Sequence, residues 1–123
     1  MQTAWPTHRK HEDVDMKWLR FFLPVTTVGP EAAMEMLASD APPVLVDVRE
    51  PSEYAEQRLE GAVLIPLGQI GNRCRELDVD RPVLVYCRSG IRSNLAARKL
   101  AVKGFRQVIN MAGGIVKWPG KTV

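Results

Sequence analysis

The stretch Pro82-Val83-Leu84-Val85-Tyr86-Cys87-Arg88-Ser89-Gly90-Ile91-Arg92-Ser93 decides the fold. Its first half is apolar and rich in β-branched side chains, the pattern of a strand buried on both faces. The run stops at Cys87. A helical stretch follows from about Ser93 to Lys103, with Gly104 as its C-terminal stop. Working outward, the same alternation recurs on either side. Upstream, Val44-Leu45-Val46-Asp47-Val48 has four apolar residues in five and predicts another buried strand. An earlier helix opens at Gly29-Pro30, runs through the strong helix formers of Ala32 to Ala38, and ends near Asp40 and Pro42-Pro43. Residues Pro51 to Arg58 read as a short helix broken by Gly61, and Ala62-Val63-Leu64-Ile65 as a short strand stopped by Pro66. Downstream, Gln107-Val108-Ile109-Asn110 is a last strand before Gly113-Gly114. Strands alternating with helices at this spacing predict an α/β fold, a mostly parallel central sheet flanked by helices on both faces. Such sheets bind ligands at the carboxyl ends of their strands, where Cys87 sits.

A chain of 123 residues has room for one domain. Its 46% hydrophobic and 25% charged residues are ordinary globular composition and argue against wholesale disorder. No run approaches the ~18 consecutive apolar residues of a membrane span. The richest patch, Met16 to Val25, is interrupted by Lys17, Arg20 and Pro24. No secretory signal is visible, and two cysteines, Cys74 and Cys87, make no disulfide framework. The expected setting is therefore cytoplasmic. Residues 1–24 mix charges with Trp5, Trp18, Phe21 and Phe22 and lack a clean period. They are read as an N-terminal extension (a leader, a docking arm or a remnant, with Met16 a second candidate start), and residues 25–123 as the domain.

The net charge of +3 is unevenly spread. Residues 1–30 carry +1, residues 31–80 carry −7, and residues 81–123 carry +9 with no acidic residue. A C-terminal third so basic suggests a surface or pocket facing an anion. Its cations are scattered singly, without the clustered stripe and interleaved aromatics of nucleic-acid binders, so neither nucleic acid nor membrane is an expected partner.

The segment Cys87 to Ser93 supplies what an anion needs. A loop curling before a helix aims several backbone N–H groups inward, and the helix adds its positive dipole end. Gly90 permits backbone conformations closed to other residues, while Arg88 and Arg92 add fixed charge. A cysteine there favours its thiolate. With an ordinary pKa near 8.5, a thiol is about 3% ionised at pH 7, and a two-unit depression makes it about three-quarters ionised. That roughly 25-fold gain is partly offset by lower intrinsic nucleophilicity. Cys87 is the candidate nucleophile. Tyrosine-phosphatase-like catalysts share the strand, cysteine loop, arginine and helix, but place five residues between cysteine and arginine. Here four intervene, Arg88 to Ile91, a smaller bowl better suited to one sulfur atom than to a phosphate. A phosphatase or arsenate reductase also wants a general acid, for which Asp47 or Glu50 are the candidates at another strand end.

The chain resembles the rhodanese-like sulfurtransferases over about Val25 to Gly120. The resemblance rests on Val46-Asp47-Val48-Arg49-Glu50-Pro51 with Glu53-Tyr54, on Gly61-Ala62 with Ile65-Pro66-Leu67, on Val85 to Ser93, and on Met111-Ala112-Gly113-Gly114-Ile115 with Trp118. Where the family usually has a His-Ile-Pro-Gly-Ala-like stretch, this chain reads Arg58-Leu59-Glu60-Gly61-Ala62. The resemblance implies a two-step transfer of sulfane sulfur. Cys87 takes sulfur from an anionic donor such as thiosulfate, forms a persulfide, and yields it to cyanide or a thiol. It implies no cofactor and no metal. The inward amides of Arg88, Ser89, Gly90, Ile91 and Arg92 are expected to hold the persulfide. Arg88 and Arg92 are expected to help bind the donor, with bracing the loop the better reading for at least one of them. A rival reading is a relay or binding module that receives its persulfide from a partner protein docked on the basic rim. Asp47 and Arg49 are expected to support the loop by structural pairing. Cys74 reads as incidental, Trp118 as packing, and Lys117 and Lys121 as solvated charge. His8 and His11, without cysteine partners, are weak metal candidates.

Overall fold

The computed structural model describes residues 16–123, so Trp5, His8 and His11 lie outside the described residues. Five strands form one sheet: β1 (Thr26–Val28), β2 (Val44–Asp47), β3 (Val63–Leu64), β4 (Val83–Tyr86) and β5 (Val108–Met111). Their order is β1-β5-β4-β2-β3, and every pairing is parallel. The sheet is thus wholly parallel, and β4 lies at its centre. The helices are α1 (Pro30–Leu37), α2 (Pro51–Glu56), the single turn α3 (Ile70–Arg73) and α4 (Ile91–Val102).

Strand alternation sorts the core into two layers. Val46, Val48, Val83, Val85 and Cys87 pack with Ile70, Ala96, Ala97 and Leu100, on the face covered by α3 and α4. Leu45, Leu84, Tyr86, Ile109 and Met111 pack with Ala33, Leu59 and Ile115 on the opposite face, beneath α1. Both faces are covered, which is why β4 reads as a continuous apolar run rather than an alternating one.

Local chemistry sets the ends of the elements. Pro30 and Pro51 occupy first helical turns, where a missing N–H costs nothing. Gly104, at φ +99°, follows α4 and lets the Phe105 N–H return to the Leu100 carbonyl. The chain also forms elements that the sequence pattern does not announce. The 3₁₀ turn Met16–Phe22 sits against α4, where Arg98 Nη1 donates to the Phe21 and Leu23 carbonyls and Arg20 Nη2 to that of Phe105. β1 has three residues, too short to show a period. The helix expected from Ser93 begins two residues earlier, at Ile91, because Gly90 already serves as its N-cap.

Candidate active site

Cys87 follows the last residue of the central strand, and its residue is 1% exposed. The loop after it is held at its base by the segment following β5. The Ile115 N–H donates to the Cys87 carbonyl at 2.9 Å and the Val116 N–H to the Arg88 carbonyl at 3.2 Å. Gly114, at φ +62°, lies directly against those two carbonyls, and a β-carbon there would overlap the Arg88 backbone. Only glycine lets the two strand ends close on each other. At the loop's apex Gly90 is left-handed, φ +106°, and its carbonyl starts the α4 hydrogen-bond ladder through the Asn94 N–H.

The cysteine sulfur occupies the place of a helix cap. The Gly90 N–H donates to Sγ at 3.1 Å, and the N–H of Ser93, the third residue of α4, does so at 3.4 Å. That third-residue N–H is one of the donors a helix start leaves without an internal partner. The Ser93 hydroxyl adds a contact to Sγ at 3.4 Å. Burial by itself pushes the thiol up. The Ser93 hydroxyl and the N–H groups of Ser93, Gly90 and Ser89 outweigh it, and the Cys87 thiol lies below its ordinary value. The helix dipole works in the same direction.

The predicted site residues divide into distinct roles. Hydrogen bonds to the Cys87 sulfur run from the Gly90 and Ser93 N–H groups and the Ser93 hydroxyl, and the Ser89 N–H also favours the thiolate. Ile91 turns its side chain outward, 79% exposed. Arg88 is exposed, and among the described residues no carboxylate pairs with it. Arg92, one of the two arginines expected to bind the donor or brace the loop, lies against α2. Its Nη1 and Nη2 grip the two Glu53 oxygens at 2.8 and 3.0 Å, so it braces the loop to α2. Glu53 also accepts the Glu50 N–H, and the Arg92 guanidinium first of all holds its carboxyl down to about 2.

Asp47 and Arg49 pair with each other. Arg49 Nη2 lies 2.7 Å from Asp47 Oδ2, Arg49 Nε reaches both oxygens, and the Arg49 N–H donates to Oδ1. The Tyr86 hydroxyl donates to Asp47 Oδ2 at 2.7 Å and accepts the Leu59 N–H, while Arg49 Nη2 also donates to the Gln57 carbonyl. Burial lowers the affinity of Arg49 for its proton, and the Asp47 carboxylate more than restores it. Tyr86 is raised by burial and by Asp47. Both Asp47 oxygens are thus occupied by donors from Arg49 and Tyr86. Its network ties β2 and β4 together directly beside the cysteine loop.

The sequence assigns no site role of their own to Ser93, Glu53, Tyr86, Asn110 and Gly114. Ser93 takes the third helical position, where a donor must find an acceptor, only because the helix begins at Ile91. Glu53 and Arg92 lie 39 residues apart, as do Asp47 and Tyr86, and no local pattern announces such pairs. Cys74 is buried in the core with its Sγ 3.7 Å from the Gly71 carbonyl, and both cysteines are free thiols. Trp118 packs against the core face containing Tyr86 and Ile115.

A parallel α/β domain whose central strand runs into a cysteine loop with N–H groups aimed at the sulfur is the class this geometry defines. Residues 29–121 match the rhodanese-like domain, and the chain belongs to that family. YrkF of Bacillus subtilis (strain 168), named as a candidate sulfur carrier protein, is 38% identical over 98 residues. That match covers 80% of this chain but only 53% of YrkF, so the chain spans about half the length of that relative. A sulfurtransferase of Allochromatium vinosum is 37% identical over 94 residues, covering 76% of this chain and 88% of its own. The crystal structure of a rhodanese-related protein from Thermoplasma volcanium superposes with a TM-score of 0.72 at 24% identity. It covers 80% of this chain and 97% of that one, a likeness of fold. Among the described residues, no helix is long and apolar enough to cross a membrane.

Proposed function

We propose that this protein is a sulfurtransferase working through a Cys87 persulfide. The observation that carries the reading is the set of donors converging on one sulfur: the Gly90 and Ser93 N–H groups and the Ser93 hydroxyl. A thiolate so held attacks the outer sulfur of thiosulfate, forming the Cys87 S–S bond as the S–S bond of thiosulfate breaks and sulfite leaves with its electron pair. Cyanide then attacks the terminal sulfur, thiocyanate leaves, and the Cys87 thiolate returns. Each step moves one sulfur atom with no net oxidation and no proton. The persulfide carries its negative charge on the terminal sulfur, and loop N–H groups are suited to both anions. Arg88, exposed and unpaired among the described residues, supplies charge for the dianionic donor.

Mass spectrometry of the intact protein after thiosulfate treatment tests this. A gain of about 32 Da, reversed by cyanide and absent in Cys87→Ala, is the expected result. No gain, or a gain that persists in Cys87→Ala, overturns the reading.

A second reading, a relay that exchanges sulfur with a protein, is favoured by a separate observation. Ile91 and Val116, 79% and 59% exposed, flank the loop beside Arg88, and neither thiosulfate nor cyanide needs an apolar rim. A rim of apolar and cationic groups suits an acidic partner protein. Poor steady-state thiocyanate formation together with fast single-turnover sulfur uptake would separate the relay from the freely turning enzyme.

A further inference from the structure

Asn110 is an anomaly in β5. Its strand neighbours Val108, Ile109 and Met111 are apolar, it lies in register with Val85 of β4 and Thr27 of β1, and it is 4% exposed. Asparagine is a poor strand former, and its Oδ1 has no hydrogen-bond partner among the described residues. Its one side-chain bond runs from Nδ2 to the Gly90 carbonyl at 3.3 Å, and that carbonyl already accepts the Asn94 N–H at 3.1 Å. Rotating the amide by half a turn would set Oδ1 against the carbonyl, so the orientation is fixed by the contact itself. One bond to an occupied acceptor does not account, in stability, for a buried amide with an unmade acceptor. Valine would suit the sheet better.

Gly90 is the residue the cysteine depends on. Its N–H reaches Sγ at 3.1 Å, its left-handed backbone turns the loop, and its carbonyl sets the axis of α4, which aims the Ser93 N–H. The apex also leans on the end of β5: a β-carbon on Gly90 would sit 3.4 Å from the Gly113 nitrogen and 3.7 Å from the Met111 carbonyl. Among the described residues, Asn110 makes the side-chain hydrogen bond from β5 to this loop.

We propose that Asn110 is a positioning residue for Cys87. Its amide holds the Gly90 carbonyl along the helix axis and away from the sulfur, keeping the Gly90 and Ser93 N–H groups trained on Sγ. Without the tether, the Asn94 N–H alone holds the peptide after Gly90, and a carbonyl dipole that tilts toward an anion opposes it. The significance for catalysis rests on the persulfide reading above. The positioning itself does not, and it is tested on the thiol alone.

The test is the pH dependence of Cys87 alkylation by iodoacetamide in the full-length protein, read at the Cys87 peptide by mass spectrometry. In Asn110→Val the midpoint is expected to rise by about one pH unit, which below the midpoint is about tenfold less thiolate. The thermal midpoint is expected to hold or rise, because the unpaired acceptor is gone. A purely structural asparagine would do the reverse, lowering thermal stability and leaving the alkylation profile in place, and that result overturns the proposal. Should Asn110→Val not fold, the unsubstituted protein decides. In ¹H–¹⁵N spectra the Asn110 side-chain amide and the Gly90 N–H are expected to shift with one midpoint, that of Cys87. An Asn110 amide that ignores the titration also overturns the proposal.

Discussion

Ser93→Ala isolates how the thiol is ionised. The substitution removes the hydroxyl 3.4 Å from Cys87 Sγ and leaves the Ser93 N–H in place. Hydrogen bonds to a charged group contribute about 1.5–3 kcal/mol, and at this separation the lower end applies, close to one pKa unit. The Cys87 pKa should therefore rise by about one unit. Below the midpoint that leaves about tenfold less thiolate. Each thiolate, however, becomes about threefold more nucleophilic, because reactivity toward a disulfide rises with basicity at a slope near 0.5. The two effects oppose each other. At acidic pH the variant should react about threefold more slowly with a small disulfide such as hydroxyethyl disulfide. Above both midpoints it should react about threefold faster. Rate profiles of the two proteins must then cross. Mixed-disulfide formation at Cys87, followed by mass spectrometry across the pH range, reads the crossing directly. A variant slower by one constant factor at every pH would show that the hydroxyl governs access rather than ionisation, and the electrostatic argument for this loop would fail.

Further outcomes follow from the same geometry. Arg88→Ala should raise the KM for thiosulfate about three- to tenfold with little change in kcat, as expected for losing one exposed charge near a dianion. Arg92→Ala, which strips Glu53 of its partner, should instead lower the thermal midpoint; equal KM effects in both would contradict the division of roles. Because Glu53 in the folded chain lies near 2, below its ordinary value, its contribution is complete above about pH 4.5 and is lost as the pH falls toward 2. The pair is partly exposed, so that contribution is about 1 kcal/mol, and the thermal-midpoint gap between the protein and Glu53→Gln should close over that acid range. Gly114→Ala drives a β-carbon into the Arg88 carbonyl and should cost several kcal/mol, a large share of a small domain's stability. A melting temperature within a few degrees of the parent would refute that packing.

What the sequence made legible was the part written in short range. Val83 to Tyr86 declared a buried strand, Gly90 a tight turn and Pro51 a helix start, because each depends on residues within a turn or two. The cysteine loop was readable for the same reason: strand, turn and helix are contiguous from Val83 to Val102. The support of the loop was not. That Arg92 rather than Arg88 would brace the loop was hidden, because its partner Glu53 sits on a separate helix. For Asp47 a structural pairing was expected, but its partners, Arg49 and the distant Tyr86, were not named by any local pattern. Asn110 looked like the end of a strand, and only the fold reveals that its amide meets Gly90, 20 residues away. Met16–Phe22 escaped notice because its order comes from carbonyl contacts with Arg98 rather than from a period of its own.

The recessed position of Cys87 carries a final consequence. A sulfur that shows so little of itself discriminates by girth as well as by charge. Arg88, Ser89 and Ile91 stand exposed around it, so a branched peptide disulfide is expected to react at Cys87 more slowly than a slim anion does. Ionisation makes a thiol vulnerable to oxidation, and burial of the same sulfur works against that hazard.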